Sequence, residues 1–469
     1  MTATETRRGP LRTAPLIALS LGYFLVMLDV TVVNVAVPDI RRSLAADASA
    51  LQWIVDGYST VFAGLLLLGG SLGDRLGHRK VFLAGLAVFA GSSALCALAP
   101  STAALVAGRL LQGAGAALLV PASLALLQRT YPDRAVRARA IAVWGAVASI
   151  AFGAGPAVGG LLVSGLGWRA VFWLNVPVGL LAVVLTTRHI GAGTGAAPSH
   201  RTDHVGQILG IIGLVSGATA LNEAGTRGWT SPLVLGALAV SAAALTAFAR
   251  VELSLERSAA DGGARAPLMP PSLFRARAFS ATALIGMLIS LGYYGMLFLA
   301  TLYFQQERGW STLATGFALL PSACMGLIAA PLFSRIAART GPYAPMTGGL
   351  LLGAAGFLGW LLASSDTPYP VLLAALAATG LGQTTTALAA TAAIIESAPT
   401  EGAGIAAAVF NVARQLGSAF GVALFGTFTT TSRNFTTGLH ISTILAATAF
   451  FTGALLAAST SRHTHPHTP

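Results

Sequence analysis

Fourteen apolar runs partition this chain, near residues 14–38, 51–70, 81–99, 101–128, 138–163, 170–187, 206–222, 232–250, 279–303, 311–333, 343–363, 370–394, 402–427 and 440–460. About 20 apolar residues carry a helix across the hydrocarbon core of a bilayer. No water there satisfies exposed backbone N–H and C=O groups, so spanning segments of this kind fold as helices. Only 9% of the 469 residues are charged, against about 25% in soluble globular chains. The expected fold class is therefore an all-α membrane protein with 14 transmembrane helices. The 54 glycines suit helices that pack closely in lipid. A soluble enzyme is excluded by composition, and no nucleophile–base constellation appears.

The formal charge of +12 fits nucleic-acid binding or membrane orientation, and its placement decides between them. With a cytoplasmic N-terminus and fourteen spans, twenty of the 28 basic residues fall in cytoplasmic segments, among them Arg7, Arg8, Arg12, Arg201 and Arg265. Six fall outside the membrane (Arg41, Arg42, Arg169, Arg227, Arg308, Arg433), and Arg109 and Arg414 lie within spans. Such a bias sets membrane orientation, so nucleic acid is not expected as a partner. Six of the seven tryptophans fall near predicted outer ends, as in an aromatic belt. The run 14–38 is too long for a signal peptide of about 7–15 apolar residues and reads as an uncleaved first span.

Two polar stretches, 189–204 and 251–278, the second containing Asp261-Gly262-Gly263, bracket the seventh and eighth runs. They divide the chain into a six-helix half (1–190), a two-helix insert with cytoplasmic linkers (191–278), a second six-helix half (279–460) and a disordered tail (461–469). The glycine-bearing basic turns at 70–80 and 332–341 make a weak internal repeat. Pseudo-symmetric halves are a common frame for alternating access. Cys96 and Cys324 fall in apolar spans and read as small core residues. No metal-ligand spacing accompanies the cysteines, and the tail histidines (His463, His465, His467) either bind a metal adventitiously or belong to a disordered polar end, so no dedicated metal or cofactor is expected.

Charges inside a span cost about 2.5–3.5 kcal/mol each on insertion scales, which makes them functional candidates. Asp29 lies nine residues before the outer end of the first span, and Arg109 eight residues after the outer start of the fourth. At about 1.5 Å per residue both sit roughly 12–14 Å below the outer surface. They are expected to pair or to compete for a proton, serving either proton coupling or static helix ordering. Asp56, near the outer start of the second span, either assists proton entry or attracts cations, or it snorkels beside Trp53. Arg414, near mid-depth with Asn411 and Gln415 close by, binds either an anionic substrate group or a carboxylate partner. Phe298, Tyr293, Tyr294, Tyr303 and Phe304 around the ninth span line a pocket or fill the core.

Four motifs share one resemblance. Gly70-Ser-Leu-Gly-Asp74-Arg75-Leu-Gly77-His-Arg79-Lys80 resembles the loop signature of the major facilitator superfamily. Leu28-Asp29-Val-Thr31-Val-Val-Asn34-Val-Ala-Val-Pro38 resembles the first-span motif of its fourteen-span drug:proton antiporter branch. Arg109-Leu-Leu-Gln112-Gly113-Ala-Gly115 is similar to the fourth-span motif. Gly145 and Gly153-Ala-Gly155-Pro156-Ala-Val-Gly159-Gly160 are similar to the fifth-span antiporter motif. Asn175-Val-Pro177-Val-Gly179 also fits the branch. His78 stands where the loop motif often has arginine, and the copy near Arg335 lacks the aspartate. The chain is especially similar to actinobacterial exporters of the methylenomycin-resistance kind.

The resemblance implies a major facilitator fold of two six-helix halves plus two inserted helices. It implies a proton-coupled antiporter, not an enzyme, exporting small amphipathic drugs by alternating access from a bacterial cell membrane. Both termini are expected in the cytoplasm, with lipid, protons and substrate as partners, and a monomer is expected. Proton coupling falls to Asp29, Arg109 and Asp56, and the substrate pathway to Asn34, Gln112, Asn411 and Arg414. Gating falls to Gly70, Asp74, Arg75, Gly77 and Arg79, with Asp74 capping a helix N-terminus, or else these residues only orient the loop. Gly145, Gly153, Gly155, Pro156, Gly159 and Gly160 either seal against proton leak or serve packing alone. Proton-coupled uptake and a non-transporting scaffold are the competing readings. No Walker loop appears, so ATP drive within the chain is not expected.

Overall fold

The structure, a computed structural model, describes residues 12–191, 203–260, 267–398 and 403–464. Arg7, Arg8, Arg201, Asp261-Gly262-Gly263, Arg265, His465 and His467 lie outside these residues. The described residues are helical, without a strand. The first six spans are α1 (Thr13–Leu44), α2 (Ala48–Leu76), α3 (His78–Ala97), α4 (Thr102–Thr130), α5 (Arg134–Leu166) and the pair α6 (Arg169–Trp173) and α7 (Asn175–His189). Two more follow, α8 (His204–Arg227) and α9 (Pro232–Ala260). The last six are α10 (Arg277–Leu302), the pair α11 (Thr312–Cys324) and α12 (Gly326–Thr340), α13 (Tyr343–Gly359), α14 (Tyr369–Glu396), α15 (Ala403–Thr431) and α16 (Phe435–Thr464). Fourteen of these segments are long and apolar enough to cross a membrane. The turn 70–80 marks one end of the bundle, called the basic end below.

Local chemistry sets the boundaries. Asp47, Ser101, Asp133, Asp203 and Ser311 each accept a backbone N–H in the first turn of the helix that follows, supplying orphan donors with partners. Gly77 joins α2 to α3 alone, at φ +94°, a conformation that strains a residue with a Cβ. The tenth apolar run is two helices meeting at Met325. Pro321 within α11 removes one ladder hydrogen bond there. The final helix continues to Thr464, past the expected start of a tail at residue 461.

The seventh and eighth spans are fixed at both ends. At the end opposite the basic one, Trp229 donates Nε1–H to Thr427 Oγ1 (2.8 Å) on α15, and Asn222 of α8 reaches Thr60 of α2 (3.3 Å). At the basic end, Glu252 and Glu256, one turn apart on α9, accept the backbone N–H groups of Met269 (2.8 Å) and Ser272 (3.0 Å). The chain leaving α9 is thereby held against it. Tyr131, beyond α4, donates to the carbonyl of Arg12 (2.5 Å). Burial pushes its phenol above the ordinary range, which keeps it a donor.

The aromatic belt divides on inspection. Trp53 and Trp173 are exposed, whereas Trp168 and Trp360 are buried. Trp360 joins Tyr303, Phe304, Trp310 and Tyr369 in a ring cluster over the end of α10. Ring packing there uses a large apolar area that lipid would otherwise cover. Cys96 is buried, while Cys324 is exposed and is not the core residue expected.

Candidate functional site

Helix α1 carries two chemistries on two faces. Asp29 points into the first six spans and is fully buried. Arg109 of α4 donates Nη1–H to Asp29 Oδ2, and its Nε donates to the Ile54 carbonyl (2.8 Å). The same Nη1 reaches Gln112 Oε1 (2.8 Å). The other carboxylate oxygen accepts from Gln112 Nε2 (3.3 Å) and Asn175 Nδ2 (3.1 Å). Ser93 Oγ bridges the two amides, accepting from Gln112 (2.6 Å) and Asn175 (3.3 Å). The guanidinium stacks over the Tyr58 ring at 4.5 Å. A buried ion pair persists only when its remaining donors and acceptors are also matched, and this network matches most of them. Asn175 Oδ1 remains without a partner.

The opposite face of α1 borders open space. Met27, Val30, Thr31 and Asn34 recur with helical spacing along a cavity of about 370 Å³. Asp56 and Ser59 of α2, Asn222 of α8, Tyr294 and Phe298 of α10 and Gln415 of α15 complete the polar and aromatic lining. The cavity thus lies between the first six and the last six spans, with the seventh span forming part of its wall. A smaller cavity of about 80 Å³ shares Met27, Phe152 and Tyr294 with it and reaches Arg414.

The basic end is closed. The Asp74 carboxylate accepts the backbone N–H groups of Gly404 and Ile405, each at 3.1 Å, at the start of α15. An anion there meets the positive end of the helix dipole. Gly70 and Gly404 permit the approach: a Cβ on Gly70 would lie 2.6 Å from the Gly404 carbonyl oxygen. His78 Nε2 lies 3.1 Å from Asp74 Oδ1, buried beneath the contact. Arg137 of α5 faces Glu396 of α14 at 3.8 Å, a second link across the same end.

Against this geometry stand the sequence relationships. The family model described as the Major Facilitator Superfamily matches residues 19–422. The chain belongs to this superfamily. This facilitator is 38% identical over 440 residues to the methylenomycin A resistance protein of Streptomyces coelicolor, covering 94% of this chain and 90% of that one. It is 36% identical over 442 residues to the protein of that name from Bacillus subtilis, covering 94% and 92%. It is 37% identical over 418 residues to the tetracenomycin C resistance and export protein of Streptomyces glaucescens, covering 88% and 74%. In fold it is similar to the human organic anion transporter MFSD10, with TM-score 0.65 at 20% identity, covering 96% of this chain and 100% of that one. It is similarly close to the proton:xylose symporter XylE, with TM-score 0.66 at 17% identity and 95% of each covered. The facilitator is a multi-pass membrane protein whose relatives bear the names of antibiotic-resistance proteins, one of them a resistance and export protein.

The facilitator's expected site residues separate into groups. Asp29, Arg109 and Gln112 meet one another, so Gln112 stands in the ion-pair network and not on either cavity. Asn34 and Asp56 line the larger cavity and Arg414 the smaller. Asn411 borders neither; its amide donates to the Ala407 carbonyl one turn back (2.8 Å). Arg79 donates to the Thr187 carbonyl at the end of α7 (3.0 Å), so its contact stays within the first six spans. The described residues bring no carboxylate within 4.0 Å of Arg75. Of the ninth-span aromatics, Tyr293, Tyr294 and Phe298 reach the cavities, and Tyr303 and Phe304 do not.

The α5 glycines of the facilitator also face different partners. A Cβ at Gly145 would lie 2.3 Å from Leu388 of α14, and one at Gly153 2.6 Å from Ala323 of α11. Those at Gly155 and Gly159 would meet α1, at 1.9 Å from Thr31 Oγ1 and 3.1 Å from the Val32 carbonyl. Gly160 has open space at its Cβ position, so close packing does not involve it. Pro156 lies within α5 between these contacts. Ser93, Asn175, Tyr58 and Asn222 join the site beyond the expected set. Only Asn175 carried a signal, through its place beside Pro177.

Proposed function

We propose that this protein exports small amphipathic molecules from the bacterial cytoplasm in exchange for protons, by alternating access. The observation that carries the reading is the 370 Å³ cavity between the two sets of six spans, stopped at the basic end by the contact of Asp74 of α2 with the start of α15. The basic end is the cytoplasmic one, as positive-inside placement requires, with both termini there. The two six-span halves rock about the cavity, Asp74 and the Arg137–Glu396 pair closing the inner side when the outer side admits solvent. The resistance functions named for the relatives support drugs or antibiotics as the class exported. The protein acts in the cell membrane as a monomer.

Asp29 and Arg109 carry the proton step. Substrate and Asp29 occupy opposite faces of α1, so they do not compete for one spot. Protonation of Asp29 releases Arg109, the pair's loss shifts α1 against α4, and Met27, Val30 and Thr31 move with it at the cavity wall. Gly155 and Gly159, packed on α1, transmit that movement to α5 while keeping the interface dry. Asp56 lies on the cavity wall near the proposed outer mouth, where it attracts protons inward. The test is expression in an efflux-deficient host, paired with inverted membrane vesicles. Raised tolerance together with drug uptake into acidified vesicles is expected. Uptake into right-side-out cells would indicate import, and no flux in either direction would support a scaffold.

A further inference from the structure

We infer that Arg414 is the docking point for an anionic oxygen acid (a carboxylate, or an ionised phenol or enol) on an apolar body. The inference rests on the exporter reading and specifies its substrate class.

Arg414 is the second arginine within the spans, and its surroundings differ from those of Arg109. Arg109 has a carboxylate, an amide oxygen and a backbone carbonyl. Arg414 shares its recess with Tyr23 and Tyr294 and has the Phe410 ring 5.9 Å from its Cζ. None of the described carboxylates pairs with it, and its Nε is buried without an acceptor. A guanidinium stays charged at any physiological pH. Two neutral phenols leave most of that charge uncompensated in a membrane interior, where unpaired charge is costly. Arginine offers a planar fork of donors suited to two acceptor oxygens, and part of that fork here is unused.

The cavity supplies the missing space. The 80 Å³ recess at Arg414 is walled by Tyr23, Trp144 and Tyr294 and also touches Gln383. Tyr23 and Trp144 stack at 4.0 Å with planes 8° apart, which fixes the wall. Gln383 Oε1 is a buried acceptor without a donor, placed to receive a hydroxyl next to the anionic group. Met27, Phe152 and Tyr294 line both the recess and the larger cavity, where an apolar body fits. A cation would meet the guanidinium at the deep end and be repelled there.

The test uses the full-length protein in liposomes and two probes of one shape, 2-naphthoate and uncharged 2-naphthamide, followed by titration calorimetry. Wild type is expected to bind naphthoate at least ~10-fold more tightly than naphthamide. Arg414→Gln should abolish that preference while still binding naphthamide, which reports an intact fold. Arg414→Lys, keeping the charge without the fork, should restore part of it. Equal affinity for the two probes in wild type, or no binding of naphthoate, overturns the assignment. If wild type exports neutral compounds yet ignores naphthoate, this inference falls and the exporter reading survives. If it moves no compound of either charge, both fall.

Discussion

Asp74 is one of two links that close the basic end, beside the Arg137–Glu396 pair, and replacing it by Asn is a sharp test of its share in the gate. In wild type two N–H groups of α15 converge on Asp74, each at 3.1 Å. Asparagine retains one acceptor oxygen, loses the charge, and turns an NH2 group toward donors. A side-chain acceptor at a helix start is worth about 0.5–2 kcal/mol, and a charge at the dipole's positive end about 0.3–1 kcal/mol, or up to ~2 when partly buried. Together the closed state should lose about 1–2 kcal/mol, which multiplies the open fraction by roughly 5–30. Ile405, almost fully buried beside the contact, is a suitable reporter as Ile405→Cys, in a Cys324→Ser background because Cys324 is exposed. When closing is fast, alkylation by N-ethylmaleimide tracks the open fraction. The rate should therefore rise by roughly 5–30-fold in the Asp74→Asn protein. An unchanged rate, with the thermal midpoint also unchanged, refutes the view that Asp74 holds the gate.

Asp29→Asn should abolish pH-gradient-driven export in proteoliposomes; full retention of pH-driven flux would remove Asp29 from the proton step. Arg109→Ala leaves the Asp29 carboxylate buried without its cation and should destabilise the protein by about 3–5 kcal/mol, seen as a lower unfolding midpoint in detergent. The α5 glycines should divide. Gly155→Ala drives a methyl to 1.9 Å from Thr31 Oγ1 and should cost about 1–3 kcal/mol, whereas Gly160→Ala should be neutral or stabilise by up to ~1 kcal/mol in the same measurement. Glu252→Ala leaves the Met269 N–H without its acceptor and should speed trypsin cleavage at Arg275 by at least ~10-fold; an unchanged rate would show that Glu252 does not restrain the chain leaving α9.

Hydropathy alone places all fourteen spans, because a bilayer demands long apolar helices whatever their neighbours are. Depth counting along α1 and α4 places Asp29 opposite Arg109, because a helix has a fixed rise per residue and a membrane gives both helices a common origin. Neither argument supplies rotation about the helix axis. Asp29 and Thr31 are two residues apart, yet one faces the ion-pair network and the other the cavity. Gln112 and Asn411 look alike as polar residues in spans, but one closes a buried network and the other bonds its own helix. Gly155 and Gly160 read as one motif, and only the first touches α1.

Composition and spacing thus determine a fourteen-helix membrane protein, its intramembrane charges and the aspartate of its basic turn, while the superfamily comes from the resemblance of its motifs. Those features depend on the solvent and on local geometry, which act on each segment separately. The tertiary structure decides which charges are satisfied. It surrounds Asp29 with Arg109, Gln112 and Asn175, and it leaves Arg414 with two tyrosines and a recess. Side-chain partners come from helices far apart in the chain, and no local pattern encodes which faces of those helices meet.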